Sequence, residues 1–251
     1  MGWFLDTAVA CGVLGLAAGA FLPSLIARLP EPQPEPEPHL EVPPGFGAAT
    51  AGAPVPGPAK ERYDAIAALP GLRTRTALAT GAAAALVGAR TGWEPQLSFL
   101  LYLCWIGVAL GLVDWRTRLL PTRLIAPSYP VVVALVGLSA WLDGDWHRLV
   151  AAGWGWLLAG GTFFALWFVH PRGMGYGDVR LSGVLGIALG YGGWGRLLTG
   201  VYAGFLIGAV AGLLLSALRI VDSRAYPFGP FMLVGALVGV LAGPAVTAWY
   251  A

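Results

Sequence analysis

Two of the thirteen acids in this 251-residue chain stand where long apolar runs meet short polar turns: Asp114 and Asp178. Asp114 closes Gly111-Leu112-Val113-Asp114-Trp115-Arg116, and Asp178 follows Gly173-Met174-Gly175-Tyr176-Gly177. Ionisable groups at the edge of membrane-like stretches are rare and costly, which makes them the first candidates for chemistry. Two carboxylates brought together hold one proton between them, because both cannot ionise cheaply side by side. Such a pair is suited to peptide hydrolysis. The ionised carboxylate draws a proton from water while the protonated one donates to the carbonyl oxygen or the leaving nitrogen. Gly175, Tyr176 and Gly177 would form the active-site loop, since alternating glycines let the backbone bend sharply and another chain come close. Each acid taken alone has a plainer reading. Asp114 is then a helix-end acid paired with Arg116 or Arg118, and Asp178 an N-cap for the helix after it.

Other chemistries find no purchase. The three histidines, His39, His147 and His170, fall in three different segments, and no Cys-x-x-Cys pair exists to hold zinc. Cys11 and Cys104 lie within apolar runs and read as packed thiols. No Gly-x-Ser-x-Gly elbow is present, and Gly-Tyr-Gly-Asp is not followed by the Lys-Ser or Lys-Thr of a phosphate cradle. The proposed chemistry needs no metal and no organic cofactor.

The elements that must carry these acids are membrane helices. The chain is 57% hydrophobic and only 11% charged, against about 25% charged in a soluble domain. Its 37 glycines suit close helix packing and its 11 tryptophans suit a membrane interface. A net charge of +2 without a dense basic cluster argues against a nucleic-acid partner. Eight apolar runs approach spanning length, over residues 7–27, 76–91, 96–113, 124–142, 148–170, 179–193, 197–218 and 228–249. The expected fold is all-α, a polytopic transmembrane bundle of about eight spans. The first run has no Lys or Arg before it and is long for a signal peptide, so it reads as a retained helix. Residues 1–29 then hold the first helix, 30–72 a linker and 73–251 the catalytic core. The linker opens Pro30-Glu31-Pro32-Gln33-Pro34-Glu35-Pro36-Glu37-Pro38, a pattern that stays extended rather than helical.

Charge sets the orientation. With eight spans, all fifteen Lys and Arg except Arg90, Arg148 and Arg196 collect on one side. The positive-inside rule makes that side cytoplasmic. Both termini then face outward. Asp114, Asp178 and a third acid, Asp222, face the cytoplasm beside helix ends, whereas Asp143 and Asp145 lie in an outward turn.

At these positions the sequence resembles the type IV prepilin peptidases and related preflagellin peptidases. Gly175-Tyr176-Gly177-Asp178 is similar to their Gly-x-Gly-Asp signature. Asp114, followed by Leu120-Pro121-Thr122, resembles their first aspartate and its Ile-Pro-Asn-like turn, with Thr in place of Asn. Pro227-Phe228-Gly229-Pro230 resembles a motif before their last span, and Gly15 to Leu22 with Arg28-Leu29-Pro30 resembles their first helix. The resemblance implies an aspartic endopeptidase of the bacterial cytoplasmic membrane, with a prepilin or pseudopilin as substrate and partner. The cut would fall at the membrane boundary between a basic leader and an apolar helix. Arg172 and Arg180 would orient an acidic group of the substrate or anchor helix ends to lipid phosphates. Many bacterial members carry paired Cys-x-x-Cys motifs in the first cytoplasmic loop, tied to N-methylation of the product. That loop here has no cysteine, so the expectation is a peptidase without N-methyl transfer.

Two rivals belong to other classes. One is a transporter or an inactive scaffold; a transporter carries charge near the middle of its helices, where these runs hold none, and an inactive homologue need not keep both aspartates and the flanking glycines, which are present. A presenilin-like intramembrane protease shares Gly-x-Gly-Asp but expects Tyr before its first aspartate, where this chain has Val113.

Overall fold

Apolar segments of membrane-spanning length close their backbone hydrogen bonds most simply as α-helices. The computed structural model describes residues 3–31, 61–171, 174–218 and 227–250, and among them are ten helices and no strand. The first apolar run is broken in two, α1 (Leu5–Gly19) and α2 (Leu22–Ile26). Pro23 lacks the N–H that would continue the ladder to Gly19, so the helix restarts after Phe21. A short α3 (Tyr63–Ala67) precedes α4 (Leu72–Thr91), α5 (Leu97–Thr117), α6 (Thr122–Asp143) and α7 (Trp146–Val169). Then come α8 (Tyr176–Tyr191), α9 (Trp194–Ala217) and α10 (Gly229–Tyr250).

Each of the eight apolar runs thus becomes helix, but their spanning capacity differs. Among the described residues five helices, α5, α6, α7, α9 and α10, are long and apolar enough to cross a membrane. α1 has 15 residues and α8 has 16, short of the roughly 20 that cross a hydrocarbon core unaided. α4 has 20 but carries Arg73, Arg75 and Arg90.

The expected extended linker ends earlier than residue 72. Its stretch from 32 to 60 lies outside the described residues. From residue 61 onward the chain is folded. Tyr63 and Ile66 of α3 are buried, and the Tyr63 and Asp64 amides donate to the Glu31 carboxylate at 3.0 and 3.2 Å. An Arg-Tyr-Asp-Ala-Ile sequence has the aromatic and aliphatic groups to dock as a turn of helix, which the Pro-Glu repeat before it lacks.

Three helix pairs form the body of the bundle: α1 with α4, α7 with α8, and α9 with α10. Each is clasped by small residues. A Cβ added at Gly15 would lie 2.8 Å from the Ala84 methyl, one at Gly190 would lie 2.6 Å from the Ala151 carbonyl, and one at Gly239 would lie 2.5 Å from the Arg196 carbonyl. Side-chain-free surfaces let the backbones touch, and dispersion contacts accumulate where no hydrophobic drive exists between helices in lipid. α8 sits at the centre. From Leu181 to Tyr191 every residue is buried, so its apolar residues surround the helix instead of forming a stripe.

The bundle has two dissimilar ends. One gathers Phe4 against the Ala89 carbonyl, Tyr191 against Asp143 and Arg196 against Gln96. Arg90, Arg148 and Arg196 lie at this end, with exposed Trp3, Trp93, Trp141, Trp146, Trp194 and Trp249 around it. Indole rings collect at the polar–apolar boundary of a bilayer. The opposite end carries α2, α3, the α5–α6 and α7–α8 turns and the start of α10.

Candidate active site

Both sequence-predicted aspartates lie at that opposite end. Asp114 occupies the last turn of α5, three residues before Thr117, and is 4% exposed. The helix runs past it instead of stopping at it, and closes with Arg118 in the left-handed region at φ 55°. The Arg118 amide caps the Asp114 carbonyl at 2.8 Å. That sharp exit returns the chain through Leu120 to α6.

Asp178 is 7% exposed and lies in the first turn of α8. The helix begins at Tyr176, two residues before the acid, so the plainer reading of Asp178 as an N-cap does not hold. Gly175 takes that position, and its amide donates back to the Asp178 carboxylate at 3.2 Å. Gly177 is needed for closeness. A Cβ there would lie 2.7 Å from the Leu120 Cβ, so only glycine lets the α5–α6 turn rest on the start of α8. Tyr176 points outward, 44% exposed, between the Trp167 ring at 5.1 Å and the Arg180 guanidinium at 4.7 Å. Arg180 also donates to Thr122 at 2.5 Å, which ties α8 to α6.

The two acids share one end of the bundle: Leu120 packs against Gly177, beside Asp178, and against Gly229, whose amide holds Asp114. Among the described residues, neither acid forms a salt bridge with an arginine. Arg116 instead forms a bidentate pair with Glu61, at 2.7 and 2.5 Å. Nearby on α3, the Arg62 guanidinium holds the exposed Asp64 carboxyl below its ordinary range. Asp222, Arg172 and Gly173 lie outside the described residues.

The sequence left two further parts of this site without a role. The Gly229 amide, at the start of α10, donates to the buried Asp114 carboxylate at 3.0 Å. Free amides at a helix start are natural anion partners. A Cβ at Gly229 would come within 2.7 Å of the same oxygen and 3.4 Å of Leu120 Cδ2. Leu120 therefore sits against both Gly177 and Gly229, one from each aspartate's surroundings. The Pro227-Phe228-Gly229-Pro230 motif was the available signal for the first of these. Among the described residues no group of three metal-binding side chains comes together. Two buried carboxylates with backbone donors can hold and pass protons to a water between them.

The sequence model of the type IV leader peptidase family matches residues 100–217, a stretch containing Asp114, Leu120 and Asp178. Residues 100–217 are a type IV leader peptidase domain. The chain is 32% identical over 177 residues to the prepilin leader peptidase/N-methyltransferase of Pseudomonas aeruginosa, a match covering 69% of this chain and 59% of that protein. It is 30% identical over 182 residues to the protein of that description from Stutzerimonas stutzeri, with the same two shares, 69% and 59%. A third, from Aeromonas salmonicida, is 32% identical over 162 residues, covering 63% and 53%. The chain thus spans between 53% and 59% of the length of these relatives. No solved structure gives a match. The leader peptidase domain begins in α5 and ends with α9, so α10 and its Gly229 lie beyond it in sequence while completing the surroundings of Asp114.

Proposed function

We propose that the chain is a membrane aspartic endopeptidase that removes the leader peptide from type IV prepilin-like proteins, with Asp114 and Asp178 activating the attacking water. The observation that carries this reading is the arrangement itself: two buried carboxylates on different helices at one end of the bundle, with Leu120 packed between their surroundings. Sharing one proton, the pair takes a proton from water as the oxygen attacks the scissile carbonyl and gives its own to the carbonyl oxygen. The tetrahedral intermediate then collapses as a proton passes to the leaving nitrogen and the C–N bond breaks. Gly229 and Gly175 hold one oxygen of each carboxylate by backbone hydrogen bonds, leaving the other oxygens for water and substrate.

On this reading the bundle crosses the bacterial cytoplasmic membrane eight times, with the aspartate end cytoplasmic and both termini outside. The short α1 and α8 fit such a bundle because neighbours and local thinning of the bilayer make up missing length. The partition of arginines supports the orientation, since Arg90, Arg148 and Arg196 lie at the end away from the aspartates. The cysteine-free loop after the first helix supports a peptidase without N-methyl transfer. A methylated new N-terminus, detected by mass spectrometry after incubation with purified protein and a methyl donor, rejects that part.

The central test is cleavage of a co-expressed prepilin by wild type, Asp114→Asn and Asp178→Asn, each confirmed in the membrane. Loss of cutting in both variants is expected. Wild-type cutting by either variant removes that aspartate from the mechanism.

A further inference from the structure

An apolar crevice of about 260 Å³ runs between α5 and α10 with α8 as its floor and α4 at its side. It does not include the aspartates, yet it leads to Asp114. Its α5 wall follows Leu100, Cys104, Gly107 and Gly111, and Asp114 is the next residue along that stripe, three after Gly111, on the same helix face. Its α10 wall ends at Pro230, the neighbour of the Gly229 whose amide binds Asp114. From Gly111 to Leu100 the crevice follows about 16 Å of helix, at 1.5 Å per residue.

We infer that this crevice is the docking groove for the apolar helix that follows the scissile bond of the substrate. The inference rests on the peptidase reading above and deepens it. A substrate whose cleavage point lies at the dyad must send its next residues into the bilayer, and the groove is the apolar track that begins there and runs parallel to the helices. Ala188 and Ala236 keep its walls low, which lets a helix approach closely, while Gly107 and Gly111 are already packed by Leu233 of α10. An apolar cavity of about 150 Å³ accepts one benzene-sized group, so this one takes one or two large side chains projecting from one helix face. Val234 on its rim is 47% exposed, so the groove is open to the surroundings. Substrates whose first helix turns after the cut carry bulky apolar residues at helical spacing are the preferred class.

The test places a photo-crosslinking amino acid at Val234 of the full chain in lipid nanodiscs with an intact prepilin. The control position is Leu213 of α9, 74% exposed and not part of the groove. The expected result is an adduct mapping to the apolar helix of the prepilin, strong at Val234 and absent at Leu213. Narrowing the groove with Val108→Trp, or with Ala83→Trp if the first does not accumulate, should lower the adduct at least fivefold. Adducts with lipid alone, equal prepilin adducts at both positions, or indifference to both narrowing substitutions overturn the groove. Cleavage of the same prepilin by the unsubstituted protein is read separately. An adduct without cleavage keeps the groove and rejects the peptidase reading, whereas cleavage without an adduct does the reverse.

Discussion

The Gly229 amide donates to the Asp114 carboxylate across 3.0 Å, joining the first turn of α10 to the last turn of α5. The acid is buried, and a buried acceptor left without its donor carries a desolvation cost of about 1–3 kcal/mol. The hydrogen bond links an acid to a glycine 115 residues away in sequence, so the acid's position depends on a helix outside the leader peptidase domain.

Gly229→Ala should therefore disable the site without unfolding the bundle. The new methyl would lie 2.7 Å from the Asp114 carboxylate oxygen, closer than real Cβ contacts come. Either α10 or the carboxylate must move. Misplacing a reacting group by about 1 Å can cost on the order of 100-fold in rate. Prepilin cleavage falling by about that factor, with membrane insertion unchanged, is the expected outcome. A rate within a factor of two of wild type would mean that the amide contact does not position Asp114.

Gly177 and Leu120 should behave as a coupled pair. A Cβ at position 177 would lie 2.7 Å from the Leu120 Cβ, so Gly177→Ala pushes the α5–α6 turn away from α8 and slows cleavage. Leu120→Ala removes the far end of the obstructing side chain but leaves its Cβ, so it relieves the clash only in part. Residues in direct contact show coupling of roughly 0.5–3 kcal/mol in a double-mutant cycle. Cleavage rates of both single variants and the double variant measure it. Strictly additive effects would show that the two positions act independently.

The sequence made much of this site legible because its signals were local. Asp178 lies in a glycine-alternating turn and Asp114 at the end of an apolar run, and membrane helices leave few other acids to choose from. The helix positions followed from run lengths, with Pro23 alone splitting the first. The rest was long-range. Nothing near Asp114 predicts that its partner is a backbone amide from α10 rather than Arg116, because that contact exists only once α5 and α10 are packed together. The same holds for Leu120, whose role depends on two glycines far apart in sequence. The short helix Tyr63–Ala67 within the stretch read as linker is a further long-range feature, because its burial depends on contacts with distant parts of the chain. Tyr63 and Ile66 carry an apolar face that the repeat does not.

Glu61→Gln tests whether the pair with Arg116 steadies the Asp114 end of α5. Both side chains are partly exposed, at 38% for Arg116 and 31% for Glu61, so water screens their attraction. Exposed pairs contribute about 0.2–1 kcal/mol. The expected result is a small fall in Tm in detergent, larger at low salt than at high salt, with cleavage nearly unchanged. A fall in Tm that is the same at both salt concentrations would assign the effect to packing rather than charge.

Gly190→Val tests the clasp on which the central helix depends. A Cβ at Gly190 would lie 2.6 Å from the Ala151 carbonyl, 2.9 Å from the Gly155 Cα and 3.2 Å from the Ala152 Cα, all backbone atoms of α7 that cannot turn aside. α7 and α8 must separate to admit a β-branched side chain. Overpacking of a close-packed interface costs about 1–3 kcal/mol, and the same contacts run up α8 through Gly186 towards the turn that holds Asp178. The variant should lose thermal stability in detergent by that order and cut prepilin more slowly, although it lies twelve residues from the acid along α8. Gly153→Val is the control, because a Cβ there meets nothing within 4 Å. Equal stability of the two variants would mean that the α7–α8 pair tolerates wider spacing, and that the glycines between these helices are not what fixes the position of α8.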